Sequence, residues 1–260
     1  MKTFSKLASM VIPVLSVAVV LGMITPAAQA RSAAEFQQAL SSGDRPEADK
    51  ARDAGRRPAE VVTFLGIEPG MTVVDLMAGG GYYTDVLSAA VGDSGKVYAQ
   101  NTKRGLAFRE GANEKAISAR LAGNRLKNVE RLNRELSDLG LEPGSVDAAL
   151  TALNYHDVAN GGGPEAAAGF LAAVLAILEP GGIFGLIDHD ANAENDNAAL
   201  HRILKADVIK AVGQAGFELV AEGEMLRNPS DDHSKMVFAE GARGKTDRFV
   251  LLLRKPLAAE

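Results

Sequence analysis

From residue 58 onward, apolar residues come in short β-branched runs, each followed by a stretch with helical spacing. "TVVDL" (72–76) is a compact run of strand length, and "YTDVLSAAVG" (83–92) after it has helical spacing and stops at Gly92. "KVYAQ" (96–100) predicts a second strand, and "ANEKAISARLAG" (112–123) an amphipathic helix ending at Gly123. "VERL" (129–132) and "VDAALTAL" (146–153) read as the third and fourth strands, the latter after the turn "EPGS". "PEAAAGFLAAVLAILEPGG" (164–182) is a long helix with proline near its start and Pro-Gly-Gly at its stop. "IFGLID" (183–188), "FELVAEG" (217–223) and "DRFVLLLRKP" (247–256) complete seven strands, and "LHRILKADVIKAVGQAG" (200–216) is a further helix.

Strands separated by helices of this length predict a parallel sheet covered on both faces. The last connection, 224–246, has no helical period, so the two final strands should pair antiparallel. The expected architecture is α/β: a seven-stranded sheet, mostly parallel with an antiparallel last strand, and helices on both faces.

The stretch before this pattern is different. "PAEVVTFLGI" (58–67) starts a helix with proline in its first turn, but residues 31–57 are polar and rich in both charges. They read as an N-terminal helical arm with one or two short helices and no core of its own. Arg56-Arg57 there reads as a solvated or salt-bridged face. Residues 1–30 combine Lys2 and Lys6, an apolar run and the small-residue end Ala28-Gln29-Ala30. This is the pattern of a secretory signal peptide cut near Ala30, which predicts a periplasmic or secreted protein with no stable membrane insertion after cleavage. An uncleaved anchor is the alternative, and Pro13 and Pro26 count against it.

Composition narrows the chemistry. The 260 residues contain no cysteine, which excludes disulfides, thiolate nucleophiles, cysteine-ligated metal and a lipoprotein anchor. The net charge is −5, and without the two lysines of the first thirty residues it is −7, a poor match to a nucleic-acid backbone. The length and 47% hydrophobic content suit one domain, 58–260, behind the arm.

Candidate chemistry begins at "DLMAGGGYYTD" (75–85), where glycines follow the first strand directly. In open α/β sheets the ligand lies beyond the carboxyl ends of the strands, where strand order reverses. A phosphate-cradling loop would need a lysine after the glycines, and a dinucleotide fingerprint would need glycine where Thr84 stands. The plainer alternative is that the glycines only let helix and strand pack closely.

Asp75-x-x-x-Gly79-x-Gly81 resembles motif I of the class I S-adenosylmethionine-dependent methyltransferases, D-x-G-x-G-x-G. "IEPGMTVVDL", "LEPGG" and "FVLLLRKP" match that family's habits, and the chain is most similar to a group of exported bacterial methyltransferases. The resemblance implies a Rossmann-like fold, S-adenosyl-L-methionine as cofactor and methyl transfer to a small-molecule or protein acceptor that the sequence does not name. It implies cofactor contacts at Asp75, Ala78, Gly79, Gly80, Gly81, Asn101, Glu135 and Asn154. Met77 replaces the first glycine and should make the pocket floor bulkier. Asn101 replaces an acid that grips the ribose, which predicts weak cofactor binding.

The fourth strand runs into Asn154-Tyr155-His156-Asp157, the fifth into Asp188-His189-Asp190, and His201 opens the next helix. Methyl transfer needs orientation and often a base. His156 is the first candidate base and His189 the second, with Asp157 or Asp188 to orient it and Tyr155 to shape the acceptor pocket. Loop hydrogen bonds without chemical consequence are the alternative for each histidine. His156, Asp188, His189 and His201 would also suit a divalent metal, but their spacing matches no fixed motif, and the site is read without one. The competing class is a non-catalytic exported ligand-binding protein with the same fold, because the cofactor is made in the cytoplasm. An NAD-dependent oxidoreductase is disfavoured by Thr84.

Overall fold

A computed structural model describes residues 31–258; the segment read as a signal peptide lies outside them. Seven strands, β1 (Thr72–Leu76), β2 (Lys96–Asn101), β3 (Val129–Asn133), β4 (Val146–Ala152), β5 (Leu178–His189), β6 (Glu218–Gly223) and β7 (Arg248–Arg254), form one sheet. Their order is β3-β2-β1-β4-β5-β7-β6. All neighbours are parallel except β7, which runs antiparallel to both β5 and β6. Strand order therefore reverses between β1 and β4, so a crevice opens at their carboxyl ends.

The helices are α1 (Ala33–Ser42), α2 (Glu47–Arg56), α3 (Pro58–Leu65), α4 (Tyr82–Val91), α5 (Lys103–Leu121), α6 (Tyr155–Ile177), α7 (Asn197–Leu200) and α8 (Lys205–Gln214). Neighbouring residues of β1 explain why both faces are covered. Val73 joins Val61, Val62, Leu65, Val86 and Leu87 on the α3–α4 face. Val74 and Leu76 join Phe170, Phe184, Val208 and Phe249 on the α6–α8 face. Each fully buried side chain of this kind contributes about 1.5–3 kcal/mol through removal from water.

Two helices are longer than their apolar pattern. α5 breaks at Phe108–Gly111, where Arg109, Glu110 and Gly111 take left-handed backbone, and its regular second half begins where the sequence period begins. α6 gains a leading segment from Tyr155, separated at Gly163 from the proline-started helix. β5 also starts early, at Leu178, because Leu178 already pairs with Val146; a register shift takes up the residues between, and pairing resumes with Ile183 opposite Ala148.

The arm docks on the domain. α1 begins with a capping box in which the Ser32 hydroxyl accepts from the Glu35 N–H and the Glu35 carboxylate accepts from the Ser32 N–H. Phe36 and Leu40 are buried against the α3–α4 face. Asp53 of α2 accepts from Arg45 at 2.7 Å and from the Tyr82 hydroxyl at 2.6 Å. Arg57 forms the expected surface ion pair, with Glu60. Arg56 departs from that expectation: its guanidinium lies 4.4 Å from the Tyr82 ring centre, packed between arm and domain rather than solvated. Among the described residues no helix is long and apolar enough to cross a membrane.

Candidate functional site

The loop after β1 takes its path from side chains of β2. Met77 has a left-handed backbone (φ 51°), and its N–H donates to Gln100 Oε1 at 2.8 Å. Gln100 Nε2 donates in turn to the Arg134 carbonyl at 2.7 Å, tying the loop after β1 to the loop after β3. Asn101 closes a second link: its Oδ1 accepts from the Gly79 N–H at 2.9 Å, and its Nδ2 donates to the Gly79 carbonyl at 3.2 Å. The amide expected to face a ribose is thus committed to the glycine loop. Met77, expected on a pocket floor, packs against the apolar cluster of the α6–α8 face.

Asp75 is buried, and its Oδ2 accepts from the Thr84 hydroxyl at 2.6 Å, joining β1 to the first turn of α4. Burial pushes its carboxyl up to about 7, against the hydrogen bonds from Thr84. Asn154 steadies the other side of the crevice, donating to the carbonyls of Ala152 at 2.8 Å and Met77 at 3.2 Å. Ala78 is held by its own N–H on the Gln100 carbonyl at 2.9 Å.

The glycines face α5. A Cβ on Gly80 would meet Ala116 Cβ at 2.9 Å. A Cβ on Gly81 would meet Ile117 Cδ1 at 2.6 Å and Arg120 at 2.9 Å, from a residue with φ +84°. Close packing of α5 on the loop therefore explains Gly80 and Gly81, the plainer of the two readings of these residues. At Gly79 the neighbouring Asn113 side chain is no closer than 3.6 Å, and only the left-handed φ of +56° asks for glycine.

Beside this loop, at the carboxyl ends of β2 and β3, a cleft of about 740 Å³ is lined by Lys103, Leu106, Gly111, Asn133, Glu135 and Asp138, among others. The break in α5 forms one wall. Glu135 is exposed in it, as a residue that meets a ligand must be.

The tips of β4 and β5 carry a second, denser constellation. Asp188 has no exposed surface. Its Oδ1 accepts from the His189 N–H at 2.8 Å and lies 2.7 Å from His156 Nδ1, and its Oδ2 accepts from the His156 N–H at 2.8 Å. Asp157 Oδ1 lies 3.3 Å from His156 Nε2 and 3.0 Å from His201 Nδ1. At 3.3 Å it attracts Nε2 without meeting it in hydrogen-bond geometry, so this buried nitrogen has no hydrogen-bond partner among the described residues. Burial opposes a charge on His156, but Asp157 and Asp188 outweigh it and raise the ring to about 10.

His189 behaves oppositely. Burial first, then the positive charge of His156, holds it well below the usual histidine range, and its Nδ1 lies 2.7 Å from the Thr246 hydroxyl. Of the predicted group, His156, Asp157, Asp188, His189 and His201 do come together, the His156 ring lying 5.7 Å from that of His189 and 5.6 Å from that of His201. Tyr155 leaves it, because its ring packs in the apolar core against Phe170 with 1% of its surface exposed and so cannot shape an acceptor pocket. His233 turns to Asp247.

Sequence reasoning missed Gln100, Thr246 and Arg202. Arg202 is fully buried and donates to Asp231 at 2.9 Å, while Arg227 pairs with Asp190 at 2.7 Å and Asp247 at 2.9 Å. These ion pairs hold the irregular connection 224–247 beside the histidines. The only signal was the density of acids around "NPSDDH".

No family model and no curated protein matches the sequence. Solved structures do match the fold. A SAM-dependent methyltransferase from Aquifex aeolicus superposes with TM-score 0.58 at 22% identity, over 82% of this chain and 99% of that one. A SAM-dependent methyltransferase from Methanosarcina mazei gives 0.53 at 15% identity over 75% and 97%. The [4+2]-cyclase SpnF gives 0.58 at 16% identity over 79% and 82%. What the chain shares with them is the Rossmann-like fold of the class I methyltransferases, and a fold of this kind hosts more than one reaction.

Proposed function

We propose that the protein is an exported S-adenosylmethionine-dependent methyltransferase. The cofactor's nucleoside would lie in the cleft at the ends of β2 and β3, its methionine end would run toward the loop after β1, and the acceptor would approach from the tips of β4 and β5. The observation that carries this reading is the placement of Glu135 in a cleft of about 740 Å³ at the ends of β2 and β3, with only β2 between Glu135's strand and that of the glycine loop, in a methyltransferase fold. His156 is the residue nearest to a proton-handling role. Held between two carboxylates it carries a proton at neutral pH, so its base form is reached only when a ligand or a movement of Asp157 releases that proton.

A second reading, a non-catalytic ligand-binding protein, is favoured by one contact: Asn101 is committed to Gly79, which leaves the end of β2 without a free ribose-binding side chain. Calorimetry of the purified protein with S-adenosylhomocysteine separates the two. The methyltransferase reading expects saturable binding of micromolar or weaker affinity. No heat at millimolar ligand overturns it in favour of the binding protein.

A further inference from the structure

The His156 Nε2 atom points to a ligand of its own. It sits in a side chain with 2% of its surface exposed and finds no hydrogen-bond partner among the described residues, a costly arrangement if nothing occupies the other side. Asp188 fixes the ring from behind through Nδ1. A carboxylate on one nitrogen of an imidazole turns the other nitrogen into an oriented, more basic donor, and this is how metal-bound histidines are usually held.

Two further donors face the same point. Asp157 Oδ1 is 3.3 Å from His156 Nε2 and 3.0 Å from His201 Nδ1. Ligands bound tetrahedrally at about 2.0–2.1 Å stand about 3.3 Å apart, so little movement is required. Ligand atoms of His156, Asp157 and His201 all lie within 4.8 Å of one another. They come from two elements: His156 and Asp157 from the first turn of α6, and His201 from the position that ends α7 in a left-handed conformation (φ 55°).

We propose that His156, Asp157 and His201 bind a divalent transition-metal ion, zinc by their donor chemistry, with Asp188 as the positioning residue. Two imidazole nitrogens and one carboxylate oxygen suit zinc and disfavour magnesium or calcium, which take oxygen donors. Zinc takes the place of the proton on His156 Nε2, which is released to solvent, and the carboxylates on either side, Asp157 and Asp188, stabilise the positive charge in either form. The site is buried at His156 and open at Asp157, whose side chain is 57% exposed. A three-ligand site of that shape leaves a fourth position for water or for an acceptor oxygen or sulfur.

This inference does not rest on methyl transfer, because the probe is the metal alone. Zinc chloride is titrated by calorimetry into chelator-treated, dialysed protein, with magnesium chloride as a parallel probe. One equivalent of zinc should bind at micromolar affinity or tighter, with no saturable magnesium binding. His201→Ala changes a partly exposed side chain and should keep the fold while weakening zinc at least tenfold. Asp188→Asn should weaken it about 10–100-fold through loss of ring orientation. His233→Ala, away from the cluster, should leave affinity unchanged. Absence of saturable zinc binding at 1 mM overturns the proposal, and so does zinc binding that survives His201→Ala intact.

Discussion

The two halves of the sheet use buried polar residues in opposite ways. At the ends of β1 and β2, Gln100, Asn101 and Asp75 are satisfied by neighbouring backbone and by Thr84, and their work is to hold a glycine loop in one path. At the ends of β4 and β5, Asp188 is also satisfied, yet it hands orientation to His156, whose far nitrogen is left without a hydrogen-bond partner among the described residues. A polar residue that ends its chain of contacts on backbone is architecture; one that ends on an open donor is ready for chemistry. Both halves look alike as sequence, an acid or amide just after an apolar run.

The comparison breaks most visibly at Asp188. Its replacement by alanine strands two backbone N–H groups and a charged ring in the interior. Asp188→Ala should cost about 3–5 kcal/mol, read from urea denaturation with an unchanged slope. A loss below about 1 kcal/mol would mean that water reaches this site freely and that the half-sheet is not the sealed network described.

The next effect belongs to the glycine loop. Gly81→Val must hold φ +84° while its Cβ presses on Ile117 and Arg120, and about 2–4 kcal/mol should be lost. Gly79→Ala meets no atom closer than 3.6 Å and should lose only the left-handed penalty, about 1–2 kcal/mol. Equal losses at both positions would show that α5 does not pack on the loop as closely as the structure has it.

That contrast also marks how far sequence alone could reach. The strands were legible because each apolar run is bounded by a turn, and the antiparallel end because 224–246 carries no helix. Placing the histidines together followed from the strand ends once the sheet was parallel. The partner of Asn101 was not legible, because it depends on the side-by-side register of β1 and β2, in which Asp75 lies opposite Ala99. Nor was the direction of the Gly81 Cβ, which depends on where α5 lies after its break at Phe108–Gly111. Thr246 and Arg202 escaped for a related reason: the connection they anchor has no local period to read.

A gentler test uses pH. Asp75 is raised from 3.8 in the unfolded chain to about 7 in the fold, so the folded state holds its proton more tightly. Its contribution is complete below about pH 4, is lost as pH rises toward about 7, and is flat above that. Asp75→Asn keeps an acceptor for Thr84 and removes the titration. Chemical denaturation from pH 4 to pH 8 should show the wild type losing ground to the variant across that window. Parallel curves would mean that Asp75 is ionised throughout, and that the loop is braced by a charge.

The smallest effect on the fold should come from Glu135, and it bears most directly on the cleft. Glu135 is exposed at the end of β3, so its replacement touches no packed group. Glu135→Gln should shift stability by less than about 0.5 kcal/mol. A carboxylate that accepts from an amino group makes a charge-assisted bond worth about 1.5–3 kcal/mol, and an amide keeps only part of it. S-adenosylhomocysteine affinity should therefore fall several-fold in the variant while the melting temperature without ligand stays where it was. The ligand-induced rise in melting temperature should shrink with it, since that rise depends on the ratio of ligand concentration to Kd. If the variant binds as tightly as wild type, the nucleoside does not reach Glu135, and the cleft at β2 and β3 serves another ligand. If it binds more weakly and also melts earlier, Glu135 belongs to the architecture of this half of the sheet, and the division between the two halves loses its clearest case.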